Sequence, residues 1–353
     1  MPLLIGPLAH PLLRQRLAPE AAPAAPLAGH ALVPEPCAGI AAGCWPRLHP
    51  AGTDLPLWQA EWTPALRRYA AILMLEPCQV GGREVLGAVP GGSGPQGQTD
   101  WQPELAAAMA DQLLALPQDQ PAEQVRRRLP MIASWVASRL RAAETAALPG
   151  VGPAGQGRWD MLSISEPYAA YFSVEEARLR HLRHGGGWTP DLLRAVFVSG
   201  DATVVLPWDP RRDRVMLIDQ FRAGPALRGD AQPWLHETVA GRVDALETPA
   251  EAALREAVEE AGLRIERLIP GPHNYPSPGA VAEYLYLYIG IADLPDEAAG
   301  IGGLDSEDED IRSHLIPRAE LTRMALAGEI RNGPLLNLAL WLELRHEALR
   351  REV

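Results

Sequence analysis

Residues 241–263 read Gly241-Arg-Val-Asp-Ala-Leu-Glu247-Thr-Pro-Ala-Glu-Ala-Ala-Leu-Arg255-Glu256-Ala-Val-Glu259-Glu260-Ala-Gly262-Leu263. Local chemistry delimits one helix within them. Thr248 is a good N-cap, Pro249 suits the first helical position, and Glu251 completes a capping box. Gly262 suits a left-handed stop. The predicted helix spans Pro249 to Ala261. At 3.6 residues per turn, Leu254, Ala257, Val258 and Ala261 gather on one face, expected to be the buried one. Glu256, Glu259 and Glu260 gather nearly opposite. Carboxylates three and four residues apart repel, which costs a helix a few tenths of a kcal/mol. The ordinary reading of such a charge run is a solvated face, but three crowded carboxylates are also hard oxygen ligands suited to Mg²⁺.

Working outward, apolar and β-branched runs frame this helix. Ala202–Leu206 and Val215–Phe221 read as strands, with residues 207–213 as the hairpin loop between them. Strands are also expected at 178–182, stopped by Gly185-Gly186-Gly187, and at 195–198, 234–240 and 284–291. The tail from Leu335 to Arg350 reads as a helix. Strands and helices in mixed order point to an α/β sandwich.

The bulk properties narrow the function classes. The chain has 353 residues, enough for two domains, and 47% apolar residues supply ample core. A net charge of −12 speaks against nucleic acid as a partner. No apolar run is long enough for a membrane span, and the N-terminus lacks the basic region of a secretory signal. Cys37, Cys44 and Cys78 form no CxxC pair, as expected for reduced thiols in the cytoplasm. All 32 basic residues are arginine, which excludes lysine Schiff bases and phosphate-loop lysines. The nine histidines show no paired spacing, and none is read as a ligand. Gly91-Gly-Ser-Gly94 lacks the setting of a nucleophile elbow and reads as a loop.

The pattern G-x5-E-x7-R-E-U-x-E-E-x-G-U, with U hydrophobic, is met at all seven fixed positions of residues 241–263, which resemble the Nudix box. The resemblance implies a Nudix α/β/α sandwich with a small N-terminal β extension. It assigns Glu256 and Glu260 as metal ligands, assisted by Glu259 and the Ala240 carbonyl, with Mg²⁺ as cofactor and Mn²⁺ as substitute. Arg255 is expected to pair with Glu247, and Gly241 and Gly262 to be structural.

Residues 170–345 are similar to the ADP-ribose pyrophosphatase family in particular. Val198–Pro207, Asp219-Gln-Phe-Arg222, Pro233-Trp234-Leu235 and Glu237–Gly241 resemble its approach to the box. Ser277-Pro278-Gly279, with Glu283 four residues on, is similar to the segment that marks ADP-ribose enzymes. That assigns Pro278, Gly279 and Glu283 to substrate binding. Arg222, and with less support Arg194, offers a guanidinium fork for a phosphate or the terminal ribose. The acidic run Asp305-Ser-Glu307-Asp-Glu309-Asp310 resembles the family's catalytic loop, in which a glutamate activates water. Glu307 aligns best and Glu309 second. Gly290, Gly300, Gly302 and Gly303 suggest a loop that closes over substrate. The implied reaction is hydrolysis of ADP-ribose to AMP and ribose 5-phosphate by a homodimer. The alternatives are hydrolysis of another nucleoside diphosphate derivative, such as a sugar nucleotide or dinucleotide, or a nucleotide-sensing module without turnover.

The Pro/Gly stretch 148–157 reads as a linker, giving an N-terminal domain over 1–147 and the Nudix domain over 158–353. The first half is Ala/Pro-rich and ends in a predicted helix, Ile132–Glu144. It resembles, at scattered positions, a degenerate γ-glutamylcyclotransferase-like α/β domain. Ile5-Gly6-Pro7-Leu8 stands for that family's anion-binding turn, where Pro7 removes an N–H donor. Arg68-Tyr69-Ala70 stands where a catalytic carboxylate is expected, so no cyclotransferase activity is implied.

Overall fold

The structure is a computed structural model. It describes residues 1–91, 101–146, 148, 150–152, 157–170, 172–303 and 310–352. Most of Gly91–Gly94 therefore lies outside the described residues. The chain divides into two compact units, Met1–Pro149 and Gly150–Val353.

The first unit carries a five-stranded sheet in the order Ala22–Leu27, Leu55–Gln59, Leu3–Leu4, Arg83–Leu86, Cys78–Val80. Pro23 and Pro26 fall on an edge strand, where a missing N–H donor is tolerated. Its longest helix, Leu129–Glu144, begins three residues before the predicted start. Gly6–Ala9 is a single 3-10 turn with Pro7 at its start. Arg68 sends its guanidinium to the carbonyls of Pro117, Gln118 and Gln120, so this position ties down a loop.

The second unit is built on an eight-stranded mixed sheet. Its main order is Arg267–Pro270, Leu285–Ile291, Ala202–Asp209, Arg214–Phe221, Ile311–Pro317, Ile301–Gly302. Helix Pro249–Ala261 packs on one face through Val205, Met216, Val239, Ala253 and Ala257. Helices Arg318–Leu326 and Gly333–Leu349 cover the other through Leu217, Leu321, Leu338 and Leu342. The layers are thus α/β/α, as the sequence predicts. A separate four-stranded sheet, Val281–Ala282, Leu192–Val198, Ser173–His181, Trp159–Ala169, forms the β extension.

Three local readings are corrected. Pro207 and Trp208 belong to the strand and are buried, and only residues 210–213 turn. Asp209 organises that turn by accepting from the backbone N–H groups of Arg211 and Arg212 at 2.8 and 3.0 Å. The run expected as one strand over 234–240 is two, Trp234–Glu237 on strand Arg214–Phe221 and Val239–Arg242 on strand Ala202–Asp209. Thr238, at the break, donates its hydroxyl to the Val205 carbonyl. Gly290 is not a loop glycine: it sits inside strand Leu285–Ile291, where a Cβ would lie 2.8 Å from both Ile265 and Val205 side chains. No helix among the described residues is long and apolar enough to cross a membrane.

Candidate active site

The helix caps set the site's frame. Thr248 accepts from the Glu251 N–H at 3.2 Å, and Glu251 accepts from the Thr248 N–H at 2.8 Å. The Glu251 carboxylate also accepts from the Thr248 hydroxyl at 2.8 Å, and the two bonds it accepts from Thr248 hold it below its usual range. Gly262 ends the helix with φ 61°.

The buried face keeps Ala257 and Ala261 of the expected one but not its two large residues. Leu254 and Val258 are 41% and 58% exposed, whereas Ala252, Ala253 and Ala257 are fully buried. Small side chains let the helix approach the sheet closely. That approach carries the glutamates inward rather than out to solvent. Glu260 is 2% exposed, and its Oε2 accepts from the Ala240 N–H at 2.9 Å. A Cβ on Gly241 would lie 1.9 Å from Oε1 of Glu256, so only glycine leaves room for that carboxylate.

Arg255 ties loop and helix together. It grips both Glu247 oxygens, at 3.1 and 2.7 Å, and donates to the Arg242 carbonyl at 3.0 Å. Its Nη1 lies 2.8 Å from oxygens of both Glu256 and Glu259. Glu247 above all, with Glu256 and Glu259, raises its pKa further. Ala240, Gly241, Glu247, Arg255, Glu256, Glu259 and Glu260 thus form one cluster. Its donors, carboxylates linked by Arg255 and held beside main chain, are the hard oxygen type that suits a divalent cation.

A second group flanks it. Ser199 donates to Glu283 at 2.9 Å, and the charges of Asp201 and Arg242 reach the same carboxyl. Burial pushes the Glu283 carboxyl up, against the Ser199 bond and Arg242. Burial, then the Glu247 charge, also pushes Asp244 up. The sequence reading missed Ser199, Asp201, Arg242 and Asp244. Of these, only Asp244 carried a signal, as a carboxylate within the box's own loop.

The remaining expected residues are more dispersed. Arg222 directs its fork at buried Glu237, at 3.0 and 2.8 Å. Arg194 is exposed and bonds the Leu193 carbonyl at 2.8 Å. Pro278 and Gly279 lie on an exposed turn. Glu307 and Glu309 lie outside the described residues. Just before them, Gly302 lies against the helix: a Cβ there would meet the Glu260 carbonyl at 2.3 Å.

The family model for the NUDIX domain matches residues 198–338. The ADP-ribose pyrophosphatase of Escherichia coli (strain K12) is 36% identical over 198 residues, covering 56% of this chain and 94% of that protein. This chain belongs to the NUDIX family. The ADP-ribose pyrophosphatase of Haemophilus influenzae is 33% identical, covering 54% of this chain and 88% of its own. The GDP-mannose pyrophosphatase of Escherichia coli O6:K15:H31 is 32% identical over 43% of this chain and 78% of its own. A crystal structure described as an ADP compounds hydrolase aligns with a TM-score of 0.42 and 18% identity, covering 55% of this chain and 98% of that one.

Proposed function

We propose that this protein hydrolyses ADP-ribose to AMP and ribose 5-phosphate with a divalent cation, Mg²⁺ or in its place Mn²⁺. The observation that carries the reading is the box cluster, with Glu256 seated in the space left by Gly241, in a chain whose relatives at 33–36% identity are ADP-ribose pyrophosphatases. Glu256, Glu260 and Glu259, with the Ala240 carbonyl, would hold the cation. Bound there, it neutralises diphosphate oxygens and acidifies water.

The chain's own groups do the rest. Arg255 fixes Glu256 and Glu259 in place while Glu247 fixes Arg255. Glu307, with Glu309 as second candidate, takes the proton as water attacks phosphorus; the P–O bond of the bridging oxygen breaks and no covalent intermediate forms. Arg222, Arg194, Glu283, Pro278 and Gly279 contact substrate. Exposed Trp159, Ile164, Tyr168 and Leu193 on the β extension suit coverage by a second copy, giving a cytoplasmic homodimer.

A panel assay tests the substrate. With Mg²⁺, ADP-ribose is expected to show a higher kcat/KM than GDP-mannose; a tenfold margin requires about 1.4 kcal/mol of transition-state discrimination. Faster cleavage of GDP-mannose would replace the substrate and keep the chemistry. Absence of turnover on both, and on NADH and coenzyme A as further diphosphates, would favour a nucleotide-sensing module.

A further inference from the structure

Asp219, His236 and His314 are far apart in sequence and come from three adjacent strands. Arg214–Phe221 is the middle strand, paired antiparallel to Trp234–Glu237 on one side and Ile311–Pro317 on the other. Asp219 stands directly opposite His236, and His314 opposite Leu217, two residues back on the Asp219 face. Register therefore brings all three side chains to one face of the sheet.

They meet closely. His236 Nδ1 lies 2.6 Å from Asp219 Oδ1, and His314 Nδ1 lies 3.9 Å from Asp219 Oδ2. The two imidazole centroids are 5.4 Å apart. One ligating atom from each residue lies within 4.8 Å of the other two. This face is not that of the box helix. Leu217, in the same row, packs into the core under the C-terminal helices, while Met216 and Leu315 point to the box-helix side.

Two imidazoles and one carboxylate are the donor set of zinc and similar transition cations rather than of Mg²⁺. A cross-strand Asp219–His236 hydrogen bond alone would not explain the third residue, His314, turned toward the same carboxylate. Asp219 and His236 also line a cleft of about 410 Å³, with Trp234, Glu329 and Arg331 around it. Three protein ligands at a cleft leave a coordination position open to an exogenous group. Arg312, opposite Asp219 across the ladder, is solvent-exposed, so water screens its charge.

We propose that Asp219, His236 and His314 form a second metal site, specific for Zn²⁺-class cations, that joins three strands and keeps one position open to the cleft.

The test uses the full-length protein, stripped of metal and held in excess Mg²⁺ to fill the box cluster, titrated with Zn²⁺ and with Co²⁺ as a spectroscopic probe. The wild type is expected to bind one tight equivalent. His236→Ala, His314→Ala and Asp219→Asn should each weaken it by at least about tenfold, since even second-shell changes at such sites cost 10–100-fold. Glu260→Gln should retain it. Glu35, Cys37 and Cys44 form the rival cluster in the first unit. Should the histidine variants fail to fold, the Co²⁺ spectrum of the Glu260→Gln protein decides. Nitrogen and oxygen ligation without a thiolate charge-transfer band supports the site. A thiolate band, no tight equivalent in the wild type, unchanged binding in the histidine variants, or loss in Glu260→Gln overturns it.

Discussion

The carboxylate of Glu256 occupies the space in which a side chain on Gly241 would begin, 1.9 Å from where its Cβ would stand. The glycine of the loop and the glutamate of the helix are therefore one feature seen from two elements. Gly241→Ala must displace Glu256, the strand or both. The variant is expected to lose at least about a hundredfold in kcat, the scale of removing one preorganised electrostatic group. Turnover of ADP-ribose measures the loss, and circular dichroism shows whether the fold persists. A folded, fully active Gly241→Ala protein would separate Glu256 from the chemistry.

Glu260 offers a cleaner replacement. Its Oε2 accepts from Ala240, and glutamine retains an oxygen for that bond while losing the charge. Glu260→Gln should keep its melting temperature within a few degrees and lose about 10²-fold or more in kcat. Excess EDTA should silence the wild type in the same assay. Undiminished turnover in EDTA would remove the metal from the mechanism.

Arg255 holds Glu247 through two nitrogens, a planar fork that lysine lacks. Arg255→Lys should cost about 1–2 kcal/mol of stability, within the range for charged hydrogen bonds at a partly exposed site. In a unit of this size that is about 2–4 °C of melting temperature per kcal/mol. Glu247→Gln added to it should cost little more, because both changes break one interaction. Additive losses would show that the two side chains act separately.

The helix and its caps were legible because everything that shapes them is local: Thr248, Pro249, Glu251 and Gly262 each act within a few residues. Its buried face was legible only in part: Ala257 is buried as read, but bulk pointed to Leu254 and Val258 while the sheet took the small Ala252 and Ala253. Pro207 and Pro210 suggested a loop around Trp208, yet the strand carries Pro207, and burial of Trp208 outweighs turn propensity. Ser199 and Asp201 reach Glu283 only through the folded chain. The same holds for Asp219, His236 and His314, whose proximity depends on strand order. None of these has a sequence spacing that announces it.

The proposed function makes the acidic run the acceptor of the proton from water. Glu307→Gln should lower kcat by about 10²–10⁴, the usual range for a general base, with KM little changed. Rising pH should partly restore the variant as hydroxide replaces the missing base. Glu309→Gln should lose much less. The reverse pattern would exchange their roles, and two active variants would move the base elsewhere, with Glu259 and Glu283 next to test.

Glu283 gives a dependence on pH that can be read from stability alone. Burial raises its folded pKa above the ordinary 4.5, although Ser199 and Arg242 oppose this. The folded state therefore favours the protonated carboxyl. At low pH both folded and unfolded chains carry the proton, and the group adds no penalty. As pH rises past 4.5 the unfolded chain ionises first, so stability falls until the folded carboxyl ionises too. Glutamine stays neutral and still accepts from Ser199, so Glu283→Gln escapes that fall. The melting temperature of the variant, relative to wild type, should rise with pH from about 4 to about 7. Thermal unfolding across that range reads the difference directly. A gap that does not change with pH would mean that Glu283 ionises as easily in the folded chain as in the unfolded one, and that its carboxyl is wetter than its surroundings indicate.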